Sequence, residues 1–233
     1  MKKLFLTFIF IGVGIYFVYP KIDRAEQSNV EKVSVNNLPK TVAIDVPFTS
    51  QAPLDGQWED DRYQNACEEA SILMAMAWVN SFTLTPEEAS EEIAKLTQYQ
   101  QDRYGEHRDR SAKDTAQLIQ DYFQYDNVEY KTNIDTEDII AELNKGNIVV
   151  APFNGQKLNN PYYIPPGPIE HMAVIVGYAE STDEFIVNDP GTKRGKDFRY
   201  SASVVQNALQ DYPTGYHLPI TQVDKNMIII RPK

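Results

Sequence analysis

Polar and apolar positions divide this 233-residue chain into two textures, a helical repeat first and short β-branched runs later. "ACEEASILMAMAWVNS" is apolar around most of a helical circumference, which predicts a buried helix. "TPEEASEEIAKL" follows, with Thr85 as a cap, Pro86 at the first helical position and Glu88 completing a capping box. "SAKDTAQLIQDYFQY" and "DTEDIIAELNKG" read as amphipathic helices, the second closed by Gly146. "NIVVAPF", "HMAVIVGY", "EFIVND" and "NMIIIRP" then read as strands, and "SASVVQNALQDY" as a late surface helix. "TVAIDVPFTSQAP" predicts a short strand and turn where folding begins. Helices ahead of a sheet argue α+β rather than alternating βαβ units.

The amino end differs. In "MKKLFLTFIFIGVGIYFVYPKIDR" two lysines precede an apolar run closed by Pro20. Sixteen helical residues would span about 24 Å, a little short of a bilayer's hydrocarbon core. No small-x-small cleavage site follows, so residues 1–20 are expected to be a signal anchor, with a cleaved signal peptide as the alternative. Residues 21–40 read as a polar linker and residues 41–233 as the folded domain. Lysines ahead of the run keep the amino end inside, so the domain is expected outside the cytoplasm, membrane-anchored or secreted.

Net charge is −11, with acids spread along the chain, which argues against a nucleic-acid partner. The basic run "GTKRGK" lacks the spacing of a phosphate loop and reads as a solvated surface loop. Three scattered histidines and one cysteine suggest no metal cluster, no cofactor is implied, and no G-x-S-x-G elbow is present. One cysteine makes no internal disulfide, and a free thiol outside the cytosol is a liability unless it is useful or buried.

That cysteine, Cys67, opens the buried helix, where unpaired N–H groups favour a negative sulfur. A free thiol is only about 3% ionised at pH 7, and the helix dipole offers about 1 kcal/mol, so a base must assist. Glu68 and Glu69 oppose ionisation unless they point away. His107, in "YGEHRDRS", reads as part of an exposed loop, and His217, in "TGYHLPI", as part of a turn. His171 instead opens "HMAVIVGY", which a turn joins to "EFIVNDP". Folded as a hairpin centred near residues 180–182, these strands bring Asp189 within a residue or two of His171. A carboxylate there would fix the ring's tautomer and steady an imidazolium. A half-exposed strand-end histidine and an ordinary "NDPG" turn are the bland alternatives.

"VPFTSQAP", then "CEEAS" opening a helix, "EHMAVIVGY" and "VNDPG" together resemble the papain-like cysteine peptidases of the bacteriocin-leader-processing (double-glycine peptidase) family, in its stand-alone branch. The resemblance implies a papain-like fold whose sheet carries histidine and aspartate. It also implies Cys67 as nucleophile, His171 as base and later acid, Asp189 as orienting carboxylate, and Gln51 as oxyanion donor beside the Cys67 N–H. Gln64 is the rival for that last role. Where transporter-fused members show Asp-Cys-Gly, this chain has Ala66-Cys67-Glu68, so cleavage of a double-glycine leader is not implied.

The expected substrate is a peptide or protein, hydrolysed through a thioester; oligomeric state stays open. A cell-wall peptide amidase and a non-catalytic binding module are the alternatives on the same fold. "NNPYYIPPGPIE" reads equally as a cleft wall or as a rigid surface loop, and "WEDDRYQN" as an opposing wall whose acids would favour basic substrates.

Overall fold

The computed structural model describes residues 41–233; the expected anchor and linker, residues 1–40, lie outside the described residues. The short strand β1 (Thr41–Ala43) comes first. After a 3-10 turn at Gln57–Glu59, the single-turn helix α1 (Asp61–Gln64) starts on Asp60, whose carboxylate accepts from the Arg62 N–H. Helix α2 (Cys67–Asn80) buries every side chain but Trp78 and Asn80, as its all-round apolar pattern predicts. Helix α3 (Pro86–Tyr104) begins with the predicted capping box: Thr85 Oγ1 accepts from the Glu88 N–H at 3.2 Å, and the Thr85 N–H donates to Glu88 Oε2 at 3.0 Å. Helix α4 (Ala112–Phe123) starts on Ser111.

An edge strand, β2 (Val128–Thr132), precedes α5 (Thr136–Asn144), so helices and strands are less segregated than the sequence suggests. The remaining elements are β3 (Ile148–Asn154), α6 (Gly155–Leu158), β4 (Glu170–Ala179), β5 (Glu184–Asn188), β6 (Phe198–Ser201), α7 (Ala202–Ala208) and β7 (Asn226–Ile230). The sheet runs β2-β7-β3-β4-β5-β6 with every pairing antiparallel, and β1 adds to the far end of β4.

Both faces of this sheet are covered. Met172, Val174 and Val176 pack with α2 and α4, whereas Ala173 and Ile175 pack with Ile139 of α5 and Val205 of α7. That double coverage explains why "HMAVIVGY" is a continuous apolar run instead of an alternating one. The late helix α7 is therefore not purely a surface element, since Val205 and Ala208 are fully buried. Among the described residues no helix is long and apolar enough to cross a membrane.

Candidate active site

Helix α2 projects its first residue at β4, to which it is tied by the Ser71 hydroxyl donating to the Met172 carbonyl at 3.2 Å. Cys67, at its first turn, and His171, second residue of β4, line one cavity of about 590 Å³. His171 is buried, and its Nε2 stands 2.9 Å from Asp189 Oδ1. The hairpin reading is met in register: β4 and β5 pair Ala179 with Glu184 and Val174 with Asn188, the residue before Asp189.

Asp189 is a fully buried carboxylate with five donors. Oδ1 faces His171 and accepts from the Gly191 N–H at 3.0 Å. Oδ2 accepts from Tyr200 at 2.5 Å, Tyr163 at 2.6 Å and Asn160 at 3.1 Å. Burial alone would raise its pKa, but the charge and hydrogen bond of His171 and the two tyrosine hydroxyls outweigh burial and hold it at about 2. The loop carrying Asp189 closes tightly, with the Asp189 N–H donating to the Gly195 carbonyl at 3.0 Å. A Cβ on Gly195 would sit 1.8 Å from the Asp189 oxygen, so only glycine fits there.

Gln51 is buried and also lines the cavity. Its segment is pinned to the same loop, the Gln51 N–H donating to the Pro190 carbonyl at 2.9 Å and Asn188 Nδ2 to the Val46 carbonyl at 3.1 Å. Its Nε2 donates to the carbonyls of Tyr63 (3.1 Å) and Gln64 (2.7 Å) just ahead of Cys67. The Gln64 side chain is exposed at the cavity mouth.

The acids beside the thiol do not both point away. The Cys67 thiol donates to Glu68 Oε2 at 3.1 Å, and Glu68 Oε1 accepts from the Tyr212 hydroxyl at 2.7 Å and the Arg110 N–H at 3.0 Å. Burial pushes the Cys67 thiol well up, and the Glu68 charge adds to it. Glu69 reaches the Gln100 amide and is raised to about 8, by burial first and the neighbouring Glu68 charge second.

Several readings of the loops change. "NNPYYIPPGPIE" is a cleft wall: Tyr162 and Ile164 line the cavity while Asn160 and Tyr163 hold Asp189. "WEDDRYQN" forms another wall through Trp58, Gln64 and Asn65, but Glu59, Asp60 and Asp61 do not line it. The acids that do are Asp109 and Glu170. "GTKRGK" is also a wall, through Gly191 to Arg194, because it continues directly from the Asp189 turn. His107 is largely covered, its side chain only 12% exposed between Asp61 and Glu106, and is not part of an exposed loop surface. The hydroxyls on Asp189 were missed, Tyr200 because it lies on an unpredicted strand; the "PYY" run was the only hint of Tyr163.

Comparison with known proteins agrees with this architecture. The profile of the Peptidase_C39 like family matches residues 43–216, and the chain belongs to that family. A crystal structure of a Bacillus anthracis protein classed as a C39-like peptidase is similar at a TM-score of 0.53 and 16% identity, covering 83% of this chain and 100% of that one. That likeness supports the α+β papain-like fold. No curated protein matches.

Proposed function

We propose that this chain is an extracytoplasmic cysteine peptidase using Cys67, His171 and Asp189. The observation carrying the proposal is the convergence of the helix-opening thiol and the His171–Asp189 pair (2.9 Å) on one cavity. Membership of a peptidase-like family supports the reaction class.

In the reaction, the Cys67 proton passes to His171, whose other nitrogen is held by Asp189. The sulfur bonds to the peptide carbonyl carbon, and the carbonyl oxygen takes the negative charge. The imidazolium gives its proton to the leaving amine as the C–N bond breaks, leaving a thioester on Cys67. Water, deprotonated by the same ring, adds to the thioester, and the sulfur leaves with the proton returned. The oxyanion would be met by the Cys67 N–H, which the first helical turn leaves free of an intrahelical acceptor, and by the side chain of Gln51.

Export, with anchoring or secretion, is supported by Lys2 and Lys3 ahead of the apolar run. Digestion of a denatured protein library tests the enzymatic reading. New amino termini should appear with the wild-type chain and not with Cys67→Ala; equal cleavage by both would remove it. Fractionation of the expressing cell, with protease added outside, tests the location.

A further inference from the structure

The histidines look scattered along the chain, yet folding sets one of them between two carboxylates beside the cleft. His217 Nδ1 stands 3.3 Å from Asp109 Oδ2 and 3.4 Å from Glu170 Oε2, and the three ligand atoms all lie within 4.8 Å of one another. The two acids come from different parts of the fold: Asp109 from the loop ahead of α4, Glu170 from the start of β4. Their side chains are 9% and 10% exposed.

Hydrogen bonding does not satisfy this group. Asp109 Oδ2 accepts from the His217 backbone N–H at 2.7 Å. The Glu170 carboxylate, nine-tenths buried and facing the cleft, accepts no hydrogen bond among the described residues. The imidazole has one nitrogen pointed at both acids and can give at most one proton to the pair. Two neighbouring carboxylates, Asp109 buried and Glu170 mostly so, call for a compensating cation.

We propose that Asp109, Glu170 and His217 form a site for a divalent first-row cation. One imidazole nitrogen and two carboxylate oxygens suit Zn²⁺ or Mn²⁺ better than the all-oxygen set that Ca²⁺ prefers. Two of the three ligand spacings fit as well. A tetrahedral ion with bonds of about 2.1 Å has ligand-to-ligand edges of about 3.4 Å, close to the 3.3 and 3.4 Å separations of the imidazole from the two acids. Because the three ligands line the cavity, a remaining coordination position opens toward the cleft, where it can take a carbonyl or carboxylate oxygen of a bound peptide. The ion would also tie the turn carrying His217 to the residue preceding His171. The site adjoins the sulfur chemistry proposed above and shares its cavity, but none of its three ligands takes part in that chemistry.

The test uses the full chain carrying Cys67→Ala, so that the thiol cannot capture metal and no peptidase activity is needed. Mn²⁺ binding is followed by water-proton relaxation, and Zn²⁺ binding by thermal unfolding. We expect one ion per chain and a rise in Tm. His217→Phe keeps a ring against Tyr216, and Glu170→Gln keeps its shape; each should weaken binding at least as much as loss of an outer partner does, about 10–100-fold. No binding at millimolar metal, or an affinity in the two variants equal to that of the Cys67→Ala parent, overturns the site.

Discussion

The Cys67 thiol donates to its own sequence neighbour, Glu68, across 3.1 Å. Glu68 is held in place from the other side by Tyr212 and the Arg110 N–H, so the carboxylate cannot swing away without losing both. The resting sulfur is therefore a protonated thiol, and turnover has to move that proton to His171. Helix-dipole assistance at Cys67 is opposed first by burial and then by the adjacent Glu68 carboxylate.

Glu68→Gln removes that charge while keeping the Tyr212 and Arg110 contacts available to an amide oxygen. Alkylation of Cys67 by iodoacetamide should then become faster at pH 7, by roughly tenfold, with the midpoint of its pH profile moved down. Glu69, Asp109, Arg110, Tyr212 and His171 surround the same region and are unchanged, so the shift reports residue 68. An unaltered profile would show that Glu68 does not govern the thiol.

Asp189→Asn should lower kcat, by at most about 10⁴-fold, because an amide oxygen can still accept from His171 but brings no negative charge to steady the imidazolium. A second consequence is acid stability. The folded pKa of Asp189 is depressed to about 2, so its contribution is complete above the unfolded value and is lost as pH falls through about 2. Urea unfolding between pH 4 and 2 should cost the wild type about 2 kcal/mol that the Asn variant does not lose. Parallel curves for the two proteins would contradict the assignment of that charge.

Gln51 and Gln64 make opposite predictions. Gln51 Nε2 already serves the carbonyls of Tyr63 and Gln64, so it meets an oxyanion only by sharing or exchanging one of those bonds. If it does, Gln51→Ala lowers kcat by about 10²–10³-fold while Gln64→Ala stays near wild type. The reverse order would hand the role to Gln64. Circular dichroism of both variants separates this from misfolding.

Legibility of the fold followed position in the sheet. The central strands β3, β4 and β7 are buried on both faces and announce themselves as unbroken apolar runs. The edge strands β2 ("VEYKT") and β6 ("FRYS") alternate with polar residues and escaped notice. Helix starts at Thr85 and Asp135 are local chemistry within four residues, so they are readable directly. The His171–Asp189 contact was readable because a hairpin turns sequence distance into register. Asp109 and Tyr212 reach the site over long sequence separations, with no spacing rule to expose them, whereas Tyr200 lies only 11 residues from Asp189 but on the unread strand β6. Glu68 was visible as a neighbour of Cys67, but whether it faced the sulfur depended on Tyr212, 144 residues away.

Glu69 carries the last prediction, on stability. It lies beneath the site with no exposed surface, its Oε1 accepting from the Gln100 amide and its Oε2 without a partner among the described residues. Burial and the Glu68 charge raise its folded pKa to about 8, whereas an unfolded glutamate titrates near 4.3. Between those values the folded chain keeps a proton that the unfolded chain has released. Its contribution to stability is therefore complete below the unfolded value and falls as pH rises through about 8, by up to about 1.4 kcal/mol per pH unit. Glu69→Gln has the shape of the protonated acid and no proton to lose, and its amide oxygen can still accept from Gln100. Urea unfolding at pH 5 and pH 8 should show the wild type losing about 3 kcal/mol more than the variant over that interval. An equal loss in both would mean that Glu69 is ionised in the folded chain, with a cation or a rearranged Arg110 facing it.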